Sequence, residues 1–138
     1  MPPLTRWFVK TSFVYLALAL LAGLWLAVLS AARLDLIGGI FPVYIHLLVF
    51  GWLTQLIFGV AFWMFPKYSN EKPRRSEWLG WWTYGLLNAG LILRAVAEPI
   101  QSTQPNLLSG WLLVISALIQ FLAGLAFVVN SWGRVKEK

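Results

Sequence analysis

The chain has no cysteine, one histidine (His46) and only five acidic residues among 138. The absence of cysteine excludes structural disulfides, thiol–disulfide chemistry and Cys-ligated zinc or iron–sulfur clusters. One histidine and five scattered carboxylates argue against a metal cage built inside a single chain. Charge is scarce as well, at 12% of residues against roughly a quarter in an average soluble domain. No strand-like alternation, internal repeat, low-complexity tract or second domain is visible. What fills the sequence instead is apolar: 59% hydrophobic residues and a mean hydropathy of +0.72. A soluble fold of this length could not hide so much apolar surface, so the chain reads as one domain whose solvent is lipid.

The few charges cut the chain into membrane-length pieces. Between Lys10 and Arg33 lie 22 uncharged residues, and between Asp35 and Lys67 lie 31. Trp78 to Leu93 supplies 16 more before Arg94, and Pro99 to Gly133 supplies 35. A helix needs about 20 apolar residues to cross a bilayer. Lipid offers no hydrogen bonds to the backbone, so spans without strand alternation must be helices. The expected fold is an all-α integral membrane protein with four transmembrane helices, at about residues 8–29, 41–65, 78–97 and 107–132. Gly38, Gly39 and Pro42 mark the first turn. Pro66 closes the second helix before the polar loop 67–77, and Pro99 and Pro105 bracket the last turn. Arg6 and Lys10 precede an apolar run ending in Ser30-Ala31-Ala32, as in a signal peptide. That run exceeds the usual apolar core of about 7–15 residues, so it is expected to stay as a helix.

Basic residues set the expected orientation. Arg6, Lys10, Lys67, Lys72, Arg74, Arg75, Arg134, Lys136 and Lys138 fall on one side if four helices alternate. The other side has Arg33 and Arg94. The positive-inside rule then puts both termini in the cytoplasm. Trp7, Trp63, Trp78, Trp81, Trp82 and Trp132 form an inner aromatic belt, and Trp111 marks the outer edge. The net charge of +6 is therefore explained by topology and by attraction to lipid headgroups, with no nucleic-acid partner.

Polar residues inside the spans carry the functional signal. His46 lies about one turn inside the second helix, where ionisable side chains are rare and face protein, water or a cofactor. A neutral imidazole ligates haem iron or another metal through one nitrogen while the other donates a hydrogen bond. It can equally bond a neighbouring helix or reach to the interface. Arg94 is expected near the depth of His46. It can hold a haem propionate in a bidentate fork, or simply pair with Glu98 one turn on. Thr54, Gln55, Asn88 and Gln120 read as interhelical hydrogen-bonding groups. Gly23, Gly51, Gly59, Gly85, Gly90 and Gly124 permit close helix packing or the approach of a flat macrocycle. Met64 lies about 27 Å from His46 along a helix rising 1.5 Å per residue, too far to ligate the same iron. One chain therefore offers one axial ligand.

The segment His46-x4-Gly51-Trp52-x5-Phe58-Gly59-x6-Pro66 resembles the second helix of haem-copper oxidase subunit I, and is similar to that of nitric oxide reductases and NnrS haem-copper membrane proteins. The run Asn88-x-Gly90-x3-Arg94 adds to the likeness. The family's subunit I has twelve helices in three four-helix arcs, with metal-binding histidines on the second helix of each arc. The resemblance implies that this chain is one free-standing arc in a bacterial-type cytoplasmic (inner) membrane. It implies a non-covalently bound haem b on His46, since there is no Cys-x-x-Cys-His, with Arg94, Gly51 and Tyr44 as further cofactor-binding residues. It also implies a homo-oligomer, a trimer that rebuilds the twelve-helix shape; a twofold dimer clamping one haem between two copies of His46 is the competing arrangement. The family's three copper-binding histidines and its catalytic tyrosine have no counterpart, so its reductase chemistry is not carried over.

The expected function is that of a membrane haem b protein for electron transfer or binding of a diatomic gas such as NO, O₂ or CO. The alternative is a non-catalytic structural or assembly subunit of a larger respiratory membrane complex, with His46 structural. A four-helix multidrug exporter lacks its carboxylate in the first helix here, and a quinone-linked thiol oxidase lacks its cysteines.

Overall fold

With lipid-like sequence on either side of each turn, the backbone closes its hydrogen bonds locally, and the chain is all-α. The computed structural model describes residues 1–34 and 38–135. Helix one is Pro3–Ala31, helix two Ile40–Met64, helix three Glu77–Thr103 and helix four Leu107–Trp132. Among the described residues, helices one, two and four are long and apolar enough to cross a membrane. Helix three has 27 residues but carries Glu77, Arg94 and Glu98 and is more polar.

The starts follow ordinary capping chemistry. Pro3 opens helix one, where its missing N–H has no helical partner to lose. Gly39 precedes helix two with φ +79°, and a Cβ there would approach the Glu98 carbonyl oxygen to 2.6 Å, so both conformation and space require glycine. Ser76 and Asn106 cap helices three and four by accepting from the N–H of Leu79 (3.1 Å) and Ser109 (2.8 Å).

Helix one begins at Pro3, five residues ahead of the expected start, and two further features depart from the sequence reading. Helix three does not end at residue 97 but continues through Pro99 to Thr103. Proline removes one helical donor, and the turn beyond it is held because the Thr103 hydroxyl donates to the Pro99 carbonyl (2.8 Å) and the Gln104 N–H to Ile100 (2.8 Å). Helix two is not uniform: Ile40–His46 is α-helical, Leu47–Thr54 is a π-helix, and Gln55–Met64 is α-helical again. The wider turn begins at the residue after His46, and π segments of this kind recur at functional sites.

Helices one and two pack antiparallel by setting aromatic rings on glycines. A Cβ on Gly51 would lie 2.8 Å from Tyr15, one on Gly59 2.6 Å from Phe8, and one on Gly23 3.0 Å from Tyr44. Thr5, Ser12 and Ala19 recur every seven residues on helix one, and all are fully buried, the spacing of a left-handed packing seam. Helices three and four pair most extensively. There Gly90 accommodates Gln120, and the Ser116 hydroxyl donates to the Gly90 carbonyl (2.8 Å). Helix one also reaches helix three, with the Tyr15 hydroxyl donating to Asn88 Oδ1 (2.9 Å) and the Thr11 and Tyr84 hydroxyls bonded at 2.8 Å. Helices two and three thus occupy the middle, with one and four at the flanks.

The end that carries the polar loop is stitched by arginine and asparagine. Arg134, only 2% exposed, donates to the carbonyls of Phe62 (2.9 Å), Phe65 (2.7 Å) and Pro66 (3.1 Å). The Phe62 carbonyl is a terminal acceptor of helix two, and Phe65 and Pro66 are the two residues that follow the helix. Its guanidinium also lies 5.6 Å from the Phe62 ring centroid and 5.9 Å from that of Phe65. Burial, and secondly the charge of Arg74, lowers its pKa from the ordinary arginine value. Arg134 therefore holds helices two and four together and is not merely a surface charge of the loop end. Asn130 and Ser76 exchange two hydrogen bonds, Ser76 N–H to Asn130 Oδ1 (3.2 Å) and Asn130 Nδ2 to the Ser76 carbonyl (3.0 Å). Lys136 and Lys138, expected on the same side, lie outside the described residues, as does Asp35.

Candidate functional site

Helices two and four meet where Phe58 stacks on Phe127, ring centroids 3.9 Å apart and 6° from parallel. Farther from the Arg134 end they leave a cavity of about 570 Å³ between them, within the usual range of roughly 300–1,000 Å³ for small-molecule and cofactor sites. His46 and Phe50 of helix two form one wall. Ala117, Gln120, Phe121, Gly124, Leu125 and Val128 of helix four form the other, and Arg94 enters from helix three. The helix-four residues recur at intervals of three and four, so they occupy one stripe of that helix.

His46 is oriented by its own helix. Its Nδ1 lies 2.8 Å from the Pro42 carbonyl oxygen, one turn back. A carbonyl only accepts, so Nδ1 carries the proton, and in the neutral ring the Nε2 lone pair is the one left for a ligand. The ring stacks on Phe50 with centroids 5.5 Å apart and planes 13° from parallel. One face of the imidazole is thereby turned to Phe50, with the two rings nearly parallel.

Of the two contacts considered for Arg94, the structure contains the pair with Glu98. Its Nε donates to Glu98 Oε1 at 3.1 Å and its Nη2 lies 2.9 Å from the same oxygen as an ion pair, so the pair one turn apart does form. The same side chain lines the cavity with His46, and Nη1 takes no part in the pair. Arg94 places the one permanent charge on a largely apolar lining.

Gln120 is the site residue that sequence reasoning did not assign to the cavity. The Ser116 hydroxyl proton is committed to the Gly90 carbonyl, so Ser116 Oγ accepts from Gln120 Nε2 at 3.1 Å. That logic orients the amide. Its signal in the sequence was only the stripe 117, 120, 121, 124, 125 and 128, which does not reveal which neighbour it faces. Phe50, one turn beyond His46, was likewise within reach of helical spacing.

Tyr44 and Gly51 are not on this lining. Tyr44 rests on Gly23, and Gly51 is covered by Tyr15, so both meet helix one. Of the other polar groups, Asn88 makes the interhelical bond expected of it, whereas Gln55 makes none. Gly124 lines the cavity with open space where a Cβ would stand, and Gly85 is open as well. No group of three or more His, Asp or Glu side chains able to hold a metal is present among the described residues. His46 is the one imidazole. Comparison of the chain with protein-family models, curated proteins and solved structures gives no match.

Proposed function

We propose that this chain is a membrane haem b-binding protein of the haem-copper oxidase subunit I-like type, acting in electron transfer or diatomic gas binding. The observation that carries the proposal is the pairing of a hydrogen-bond-oriented imidazole with an arginine on one cavity. The Pro42 carbonyl holds His46 Nδ1 and leaves the Nε2 lone pair free to ligate, the arrangement that fixes tautomer and raises basicity in metal-bound histidines. Arg94 lines the same cavity and would offer a donor to a propionate. Phe50 and Phe121 supply the apolar walls a macrocycle needs. These residues fit the group. A bound haem would supply a redox-active iron able to take a diatomic ligand. The chain's own residues would supply a ligating nitrogen from His46, a positive charge from Arg94 and apolar walls; ligand identity and burial are among the levers that set haem behaviour.

In this reading helix three spans the membrane with the other three, and both termini face the cytoplasm of a bacterial-type cell. The basic residues at the Arg134 end support that orientation. The cavity opens to the protein's surface between helices two and four, and the chain offers a single imidazole as a ligand. Both features favour a homo-oligomer, a trimer of arcs or a dimer, in which a second copy closes the site.

The test is spectroscopic. Protein purified in detergent from haem-replete cells should show a Soret band that is lost in His46→Ala. A shift on adding CO to the reduced protein marks an open coordination position, and no shift marks two histidine ligands. A colourless wild-type preparation sinks the proposal. The open cleft also favours a second reading, in which an apolar helix of a larger respiratory complex fills it and the Arg94–Glu98 pair is purely structural. Purification from native membranes separates the two: a free-standing homo-oligomer supports the first, and obligate co-purification with other chains supports the second.

A further inference from the structure

Gln55 is fully buried, and neither its Nε2 nor its Oε1 has a hydrogen-bond partner in the protein. An amide placed in this way forfeits its hydration on both atoms, a penalty that native structures almost always avoid through protein or ordered water. Its surroundings follow from the helix one–two register. Tyr15 on Gly51 and Phe8 on Gly59 bracket the interface, which brings Ser12 opposite Gln55. Ser12 is fully buried, and its hydroxyl proton is committed to the Val9 carbonyl at 2.8 Å, which leaves its oxygen able to accept. A second, independent feature lies alongside. The π segment ends at Thr54, the residue before Gln55, so the regular α-helical hydrogen-bond pattern is interrupted beside the orphaned amide.

We infer that ordered internal water occupies the helix one–two interface at Gln55, donating to Oε1 and accepting from Nε2, with Ser12 Oγ as the next acceptor. A buried water of this kind characteristically makes about three hydrogen bonds to groups that would otherwise stay unpaired. The site is closed and does not form a continuous wire. Phe8, 1% exposed, fills the seam on the side toward Thr5, whose hydroxyl is the next unpaired buried group. On the other side Tyr15 and Asn88 already satisfy each other.

Water-edited solid-state NMR on the full chain in lipid bilayers tests this directly. Magnetisation should pass from water to the Gln55 side-chain amide protons, and to a greater extent than to the amide of Asn88, whose oxygen and nitrogen both have protein partners. No transfer to Gln55, or a direct Gln55–Ser12 hydrogen bond without water, overturns the inference. Thermal unfolding of Gln55→Leu gives a second readout on a variant of similar size. A lowered Tm is expected, because the water loses its principal partner. A variant as stable as wild type or more so overturns the inference, since that is the result of replacing a dry, unpaired amide by an apolar side chain.

Discussion

The Nδ1 of His46 and the carbonyl oxygen of Pro42 lie 2.8 Å apart, one turn from each other on the same helix. That contact decides which ring nitrogen can act, because the carbonyl has no proton to give. The expected tautomer in the cofactor-free protein is therefore Nδ1–H with an unprotonated Nε2. Nitrogen-15 chemical shifts of the His46 ring at neutral pH check it. The opposite tautomer would remove the free Nε2 lone pair on which the proposed haem ligation depends.

Arg94 and Glu98 make separable predictions. If Arg94 holds an anionic group in the cavity, Arg94→Leu should weaken haem retention roughly ten- to a hundredfold, the loss of a charged hydrogen bond of about 1.5–3 kcal/mol. Glu98→Gln keeps an acceptor beside the guanidinium but removes the competing charge, so retention should be unchanged or tighter. Haem transfer to an acceptor protein measures both. Equal retention in Arg94→Leu and wild type would reduce the arginine to its ion pair.

Helix number and most helix limits were legible because charge and proline act locally. Helix four begins and ends where the sequence placed it, between the Asn106 cap and Gly133. The extension past Pro99 was not legible, because it depends on Thr103 bonding back across the proline. Nor was the π segment, since Leu47–Thr54 is composed of residues common in any buried helix. Of the candidate site, His46 and Arg94 stood out because lipid penalises both, and they do line one cavity. Tyr44 and Gly51 share a helix with His46 but face helix one, and which face a residue presents is set by packing that one chain's periodicity does not specify. Arg134 looked like a topology signal, and only the fold reveals three carbonyls around it.

The glycines divide into two classes with opposite expected outcomes. Gly51→Ala and Gly59→Ala would drive a Cβ to 2.8 Å from Tyr15 and 2.6 Å from Phe8, in a seam where both rings are buried. Overpacking of this kind typically destabilises by about 1–3 kcal/mol. Gly85 and Gly124 have nothing within 4 Å of where a methyl would stand, so alanine there should be neutral or should stabilise the helix by up to about 1 kcal/mol. Thermal unfolding in one detergent ranks the four variants. Gly124→Ala also narrows the cavity by a methyl, so haem retention in that variant reports on whether the cofactor lies against helix four.

Arg134 carries the last prediction. Its guanidinium serves three carbonyls in different directions, at Phe62, Phe65 and Pro66, a planar donor array that a single ammonium does not reproduce. Arg134→Ala leaves the end of helix two with its acceptors open and the Phe62 and Phe65 rings without the cation above them. A loss of about 3 kcal/mol is expected, the scale of one or two hydrogen bonds to a charged group. Arg134→Lys should recover only part of it, because one ammonium cannot reach all three carbonyls in that geometry. If lysine restored full stability, the residue would matter for its charge alone, as the positive-inside pattern requires, and the clasp between helices two and four would have to lie elsewhere. Because the clasp is at the opposite end of helix two from His46, the spectrum of the proposed haem in Arg134→Lys should match wild type while the Tm falls.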